Sequence, residues 1–347
     1  MPYYVYVSLS TEDRINVYAM DPETGALDSY AIVAAGAGPG PLCVDPQQRF
    51  LYAGLRGGRQ AAAFRLDKGS GRLAPLGTAP LESDPCYLST DASGRFLFTS
   101  YYRAGMAAVH PIRRDGSVGT PAVMNIKTAE RAHSIQIDAG NRFAFVPHTA
   151  GPNLIYQLRF DDKTGRLSSN PAGQRLEPPP GEGPRHFCFH PAMDVVYFVN
   201  EQSSSVSAYE LDTRKGTLTR FQNVPTLPTG FEGENTGAEI RITPTGEYLY
   251  ASNRGHDSIA AFSVDGSTGA LEPISHTPTE PTPRSFTLDP DGAYLLALGE
   301  GSGKLATYRI DDETGHLSPL EVLQVGNSPI GILALDLGTA EPASRLS

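Results

Sequence analysis

The sequence predicts an all-β protein, a seven-bladed β-propeller of four-stranded blades whose last blade is closed by both termini. Three observations carry this prediction. A strand–turn–strand unit recurs around the chain, its spacing is that of a blade, and the two chain ends supply complementary parts of one unit.

The recurring unit is a strand, a polar turn carrying glycine, and a second strand, as in Val17 to Leu27 and Ala63 to Leu73. It returns more loosely around Gly116 and clearly around Gly165, Gly216, Gly269 and Gly315. The steps from Gly25 onward are 46, 45, 49, 51, 53 and 46 residues, about the length of a four-stranded blade. A second element precedes each copy, as in Leu42 to Tyr52, Ile240 to Tyr250 and Phe286 to Leu296. Its strand runs are rich in Val, Phe, Tyr, Leu and Ile and bounded by Asp, Pro and Gly, the chemistry of strands and turns.

Together the two elements give strands a, b, c and d of each unit. The chain starts on a b strand, Tyr3 to Ser8, and ends on an unmatched a strand, Ile330 to Asp336. Pairing them completes a seventh blade and removes the open edges of the ring. Residues 1–337 are therefore read as a single propeller, and 338–347 as a disordered tail. The 36 glycines and 29 prolines among 347 residues fit many short strands and turns.

A net charge of −10 argues against nucleic-acid binding, which needs a basic footprint. No stretch approaches the roughly 20 apolar residues of a membrane span. Cys43, Cys86 and Cys188 are odd in number and far apart, so no disulfide framework is implied. The expectation is a cytoplasmic protein, monomeric or weakly homo-oligomeric, with its cysteines packed in apolar strand interiors and no thiol nucleophile.

A repeat also allows the sequence to be compared with itself. Where strand a starts, successive units carry Gly40, Cys86, His133, Arg185, Ala238 and Arg284. Where strand b ends they carry Arg56, Tyr102, His148, Glu201, Arg254 and Glu300. Demands of the fold would repeat from blade to blade, and these positions do not. Because a and b are antiparallel neighbours, both sets belong at one mouth of the central channel. The richest members, His133, His148, Arg185, His186, Glu201, Arg254 and Arg284, come from consecutive blades. Glu239 at the fifth a strand faces the channel or serves the fold. Arginines suit fork-like binding of carboxylate, phosphate or a developing oxyanion, and Glu or His can act as general acid or base.

The same residues also admit blander roles. An isolated Arg185 would bond loop carbonyls, and Glu201 would be its ion-pair partner. His186 and His190 lie about 13 Å apart along a strand, too far to share a metal, so His190 is read as a turn residue. Gly36 to Gly40 leads into a strand rather than a helix and is read as a connector, not a phosphate loop.

At these residues the pattern becomes specific. Gly183 to Pro191 followed by Val199-Asn200-Glu201 resembles the signature of the lactonase-type seven-bladed propellers, which include bacterial 6-phosphogluconolactonase and the fungal carboxymuconate cyclase. Ala132-His133-Ser134, Ala238 to Gly246, Ala251 to His256 and Pro278 to Phe286 match in the same order across essentially the whole propeller. The resemblance implies a metal- and cofactor-free site of His133, Arg185, Glu201 and Arg254. Asn200, Asn253, His148, His186, Arg284 and Glu239 are expected to contact a small anionic sugar lactone or related carboxylate. It implies hydrolysis of 6-phosphogluconolactone, with Glu201 or His133 activating water. The alternatives are a muconate-type lactonizing cycloisomerase and a binding propeller without chemistry. One departure stands out: the loop Gly299 to Lys304 is short and Gly-rich, which bears on the phosphate if contacts come from that rim.

Overall fold

The computed structural model describes residues 1–338. Within them are 29 β-strands and no helix, arranged as seven sheets in a ring. The first blade is β4 (Pro39–Val44), β5 (Phe50–Leu55), β6 (Gln60–Leu66) and β7 (Leu73–Pro80). The second runs from β8 (Tyr87–Thr90) to β11 (Met124–Lys127), and the third from β12 (Gln136–Ile137) to β15 (Arg166–Ser169), with β16 (Arg175–Leu176) added on β14 (Leu154–Asp161). The fourth, fifth and sixth comprise β17 (Pro184–Phe189) to β20 (Thr217–Pro225), β21 (Thr236–Ile242) to β24 (Leu271–Pro278), and β25 (Ser285–Leu288) to β28 (Leu317–Gln324).

The seventh blade has the order β29-β1-β2-β3: β29 (Pro329–Leu335) pairs antiparallel with β1 (Tyr3–Leu9), which continues into β2 (Arg14–Met20) and β3 (Leu27–Ala34). Both ends of the described chain thus meet in one sheet. Apart from Gly338, the tail from 338 to 347 lies outside the described residues.

Side chains from facing sheets interdigitate between blades. Tyr6, Leu51, Ala53 and Phe64 form one such buried layer, and Tyr197, Val199, Leu249 and Phe262 another. At the a–b turns, Asp45, Asp91 and Asp138 each accept two backbone N–H groups at 2.6–2.8 Å, which explains the Asp of the repeat. His190 takes this place in the fourth blade, with Nδ1 accepting from Ala192 and Met193 at 3.1 and 3.0 Å.

On the same face, the c–d turn of each blade lies over its predecessor. Gly216 has φ +67°, and a Cβ there would lie 2.0 Å from the Phe143 ring; at Gly71 the obstacle is Tyr4 at 2.3 Å. Buried tyrosines clamp the same junctions: Tyr6 donates to Gly71 O at 2.8 Å, Tyr197 to Gly269 O at 2.7 Å and Tyr250 to Gly315 O at 2.9 Å. Tyr250→Phe should lower stability by about 1 kcal/mol, the usual net worth of one such bond. Gly216→Ala should lower it more, because strain and collision add. Thermal unfolding checks both; an unchanged midpoint for Gly216→Ala would rule out the glycine as a blade-junction determinant.

Candidate active site

The face opposite these turns carries the starts of the a strands and the ends of the b strands. At most of the mouth the a–b pairing is irregular. Register shifts fall between Pro39 and Leu42, Pro184 and His186, and Gly237 and Ile240, and at Ser8/Leu9 opposite Ile330. A bulge bends its strand and re-aims side chains. Consecutive residues therefore face the channel, notably Arg185 with His186.

These residues line a pocket on the axis to which all seven blades contribute. Its wall includes Arg56, Cys86 and Tyr87, His133, Arg185 and His186, Glu239 and Arg241, Arg284, and Ile330 to Ile332. About 560 Å³ within it is free of protein atoms, part of it open to solvent. The predicted residues His133, Arg185, His186, Glu239 and Arg284 are all in this wall.

Glu201 and Arg254 join the group through Arg185. The Arg185 side chain is 1% exposed; its Nε lies 3.2 Å from Glu201 Oε2, and its Nη1 donates to Ala238 O. Arg254 approaches the same carboxylate oxygen at 3.8 Å and donates to Gly237 O at 3.0 Å. Ser134 Oγ donates to the Arg185 carbonyl at 2.9 Å, fixing the strand that presents it. Burial and the neighbouring Arg254 and Arg284 push Arg185 down to about 9, still cationic at neutral pH. Glu201 is left with Oε1 making no hydrogen bond among the described residues.

His133 is buried, and desolvation together with Arg185, His186, Arg284 and Arg254 holds it well below the usual imidazole range. Its ring meets His186 edge-on at 4.9 Å and Tyr102 at 5.6 Å. His186 Nδ1 is 3.1 Å from Glu239 Oε1, which also receives Arg241 at 3.0 Å. Despite that carboxylate, burial lowers His186 to about 4, whereas Arg241 and His186 outweigh burial to hold Glu239 down at about 2.

Three predicted contacts are not brought to the pocket. His148 is fully buried against Tyr156, its Nε2 2.9 Å from Thr128 Oγ1 in the segment after β11. Asn200 donates to Ser205 and Ser207 at 2.9 and 2.8 Å, and Asn253 to Thr226 O at 2.7 Å. Each asparagine immediately precedes Glu201 or Arg254, and strand alternation sends neighbours to opposite faces. These three side chains tie hairpins and loops together.

The cysteines also need correction. Cys43 is buried, but Cys86 stands in the pocket wall with Sγ 3.7 Å from His133 Nδ1. Burial raises its pKa, so the thiol stays protonated and the exclusion of a thiolate nucleophile stands on that ground. Arg56 stands in the wall as a b-strand end at the mouth, whereas Tyr87 and Arg241 are wall residues that the strand-end comparison does not single out; each lies one to three residues past the start of a. Among the described residues no group of three His, Cys, Asp or Glu side chains is placed to hold a metal ion, and no helix is long and apolar enough to cross a membrane.

A seven-bladed ring whose axial pocket is walled by arginine, imidazole and carboxylate defines a propeller built to hold a small anion. The chain belongs to the lactonase, seven-bladed β-propeller family, which it matches over residues 4–333. It is 36% identical over 292 residues to a 6-phosphogluconolactonase of Pectobacterium carotovorum, covering 83% of this chain and 85% of that one. The 6-phosphogluconolactonase of Klebsiella pneumoniae is 35% identical over 286 residues, with 82% and 84% covered. Among solved structures, the periplasmic gluconolactonase of Pseudomonas aeruginosa superimposes with a TM-score of 0.89 at 27% identity, covering 96% and 99% of the two chains. A Lactobacillus plantarum protein does so with 0.87 at 25% identity, covering 96% and 100%.

Neutral buried histidines set an acid limit to stability. His133, His148 and His186 all have lowered values, to about 4 for the last two. Between about pH 6.5 and 4 the unfolded chain binds protons that the folded one does not. Stability should therefore fall as pH drops through that window. A melting midpoint unchanged between pH 7 and pH 4.5 would contradict the neutral, desolvated state of these rings.

Proposed function

We propose that this chain is a metal-independent hydrolase of sugar lactones acting on 6-phosphogluconolactone to give 6-phosphogluconate. The reading rests on one observation: Arg185, in the wall of the axial pocket with His133, is paired behind that wall with Glu201, which Arg254 also approaches. Its curated relatives bear the name of that activity.

In this mechanism Arg185 and Arg254 draw the lactone carbonyl towards their free N–H groups, where the oxyanion develops. Glu201 Oε1 takes a proton from water as the water oxygen bonds to the carbonyl carbon. The ring C–O bond then breaks, the proton passes to the departing alkoxide, and the acid formed ionises to solvent. Glu201 fits the base role better than His133 because its carboxylate, through Oε2, is held beside both guanidiniums, so base and oxyanion donors share one locus. His133, kept neutral by its surroundings, hydrogen-bonds the substrate or the water. A soluble cytoplasmic setting belongs to the proposal, since the substrate arises where sugar phosphates are made.

Glu201→Gln should lower kcat at least about 100-fold, while far-ultraviolet circular dichroism retains the all-β signature. His133→Asn should lower it less. Full turnover by Glu201→Gln, or a larger loss in His133→Asn, would remove Glu201 from the base role. Assaying 6-phosphogluconolactone beside carboxymuconate decides between hydrolase and cycloisomerase; turnover of the muconate alone would refute the hydrolase.

A further inference from the structure

Resting on that reading, we infer that Arg56 is a specificity-determining residue, the seat of the substrate's phosphate on the wall facing Glu201.

Glu201, Arg185 and Arg254 occupy the junction of the fourth and fifth blades. In a ring of seven, the blade across the axis from that junction is the first, which contributes Pro41, Leu42 and Arg56 to the pocket. A molecule whose carbonyl lies at Glu201 therefore extends its far end towards Arg56.

The local structure equips Arg56 for this. Its backbone is held by an N–H bond to Gly38 O at 2.9 Å. Its stem lies on Gly40, where a Cβ would come within 3.0 Å of Cδ and 3.4 Å of Cγ. Gly40 occupies the repeat position that carries Cys86, His133 and Arg185 in the next blades. A side chain there would displace Arg56 from the mouth, so the glycine gives the arginine its room.

Charge balance supplies the second argument. Arg185 and Arg254 share Glu201, Arg241 pairs with Glu239 at 3.0 Å, and Arg284 with Glu300 at 3.7 Å. Arg56 has no side-chain hydrogen bond or ion pair among the described residues, and it is half-buried. Five arginines thus face three glutamates, with the histidines neutral, in a protein whose overall charge is −10. Two positive charges in excess match a dianion, the state of a phosphate monoester near neutral pH.

The Gly299 to Lys304 loop does not line the pocket; its Lys304 pairs with Glu280 at 3.6 Å. Its shortness therefore does not weigh against a phosphorylated substrate when the phosphate sits on the opposite wall.

The test is Arg56→Gln, with steady-state kinetics on 6-phosphogluconolactone and unphosphorylated gluconolactone, and titration with 6-phosphogluconate and gluconate. KM for the phosphorylated lactone and Kd for 6-phosphogluconate should rise at least about 10-fold, as for loss of a charge-assisted hydrogen bond. The kcat for the phosphorylated lactone, and KM and Kd for the unphosphorylated pair, should change less than about twofold. Gly40→Leu, which crowds the stem rather than removing the charge, should reproduce the selective loss. Equal effects on both lactones, or none on 6-phosphogluconate binding, would overturn the assignment. If the wild-type protein hydrolyses neither lactone, the hydrolase reading fails, and selective loss of 6-phosphogluconate binding in Arg56→Gln still upholds the anion seat.

Discussion

Everything at the axis depends on the pairing of β1 with β29. It joins the two ends of the propeller in one sheet, with Tyr4 to Ser8 held opposite Gly331 to Leu335. Without it the first and sixth blades would each present an unfilled flank, and the a strands would have no reason to crowd one channel. Closure of so long a loop is entropically unfavourable but grows only logarithmically with length. The gain is a ring in which every blade packs on two neighbours. At the mouth the joint is reinforced by Ser8, whose Oγ donates to Gly40 O at 2.6 Å and accepts from Gly331 N at 2.9 Å. The closure therefore also sets the place of Gly40, on which the Arg56 stem rests.

Much of this was legible in the chain because a propeller writes one sentence seven times. The glycine spacing marks the c–d turns, where aromatic rings of the preceding blade leave no space for a Cβ, and the recurrent Asp marks the a–b turns. Departures from repetition then expose the mouth, and His133, Arg185, Glu201 and Arg254 emerge together. What stayed hidden depends on side-chain direction. Asn200 and Asn253 adjoin site residues in sequence but face the other way. His148 ends a b strand like Glu201, yet its ring turns outward. Bulges have the reverse effect, bringing His186 and Glu239 inward beside Arg185 and Ala238, where strict alternation would have excluded one of each pair.

The electrostatics follow from what the ring buries. Guanidiniums drawn from water repel one another, and desolvation alone would make Arg185 costly. Three carboxylates offset this only in part. Two consequences appear in the histidines: His133 and His186 are forced neutral, so that the positive field comes from arginine alone and persists across physiological pH. On the proposed reading, an arriving anion would complete the balance at a site organised before the ligand is present.

Glu201 couples these demands. Its Oε2 is the counter-ion of the most deeply buried arginine, so the fold has use for a carboxylate there whether or not chemistry follows. The same pairing holds Oε1 at a rigid strand end, beside the donors an oxyanion would need. A lactone asks for little more: it is an activated ester whose leaving group stays tethered to the acyl carbon. No covalent nucleophile is then required, and Cys86, protonated and packed on His133, can line the wall without taking part. Under the proposed mechanism, stability and catalysis would draw on this one ion pair.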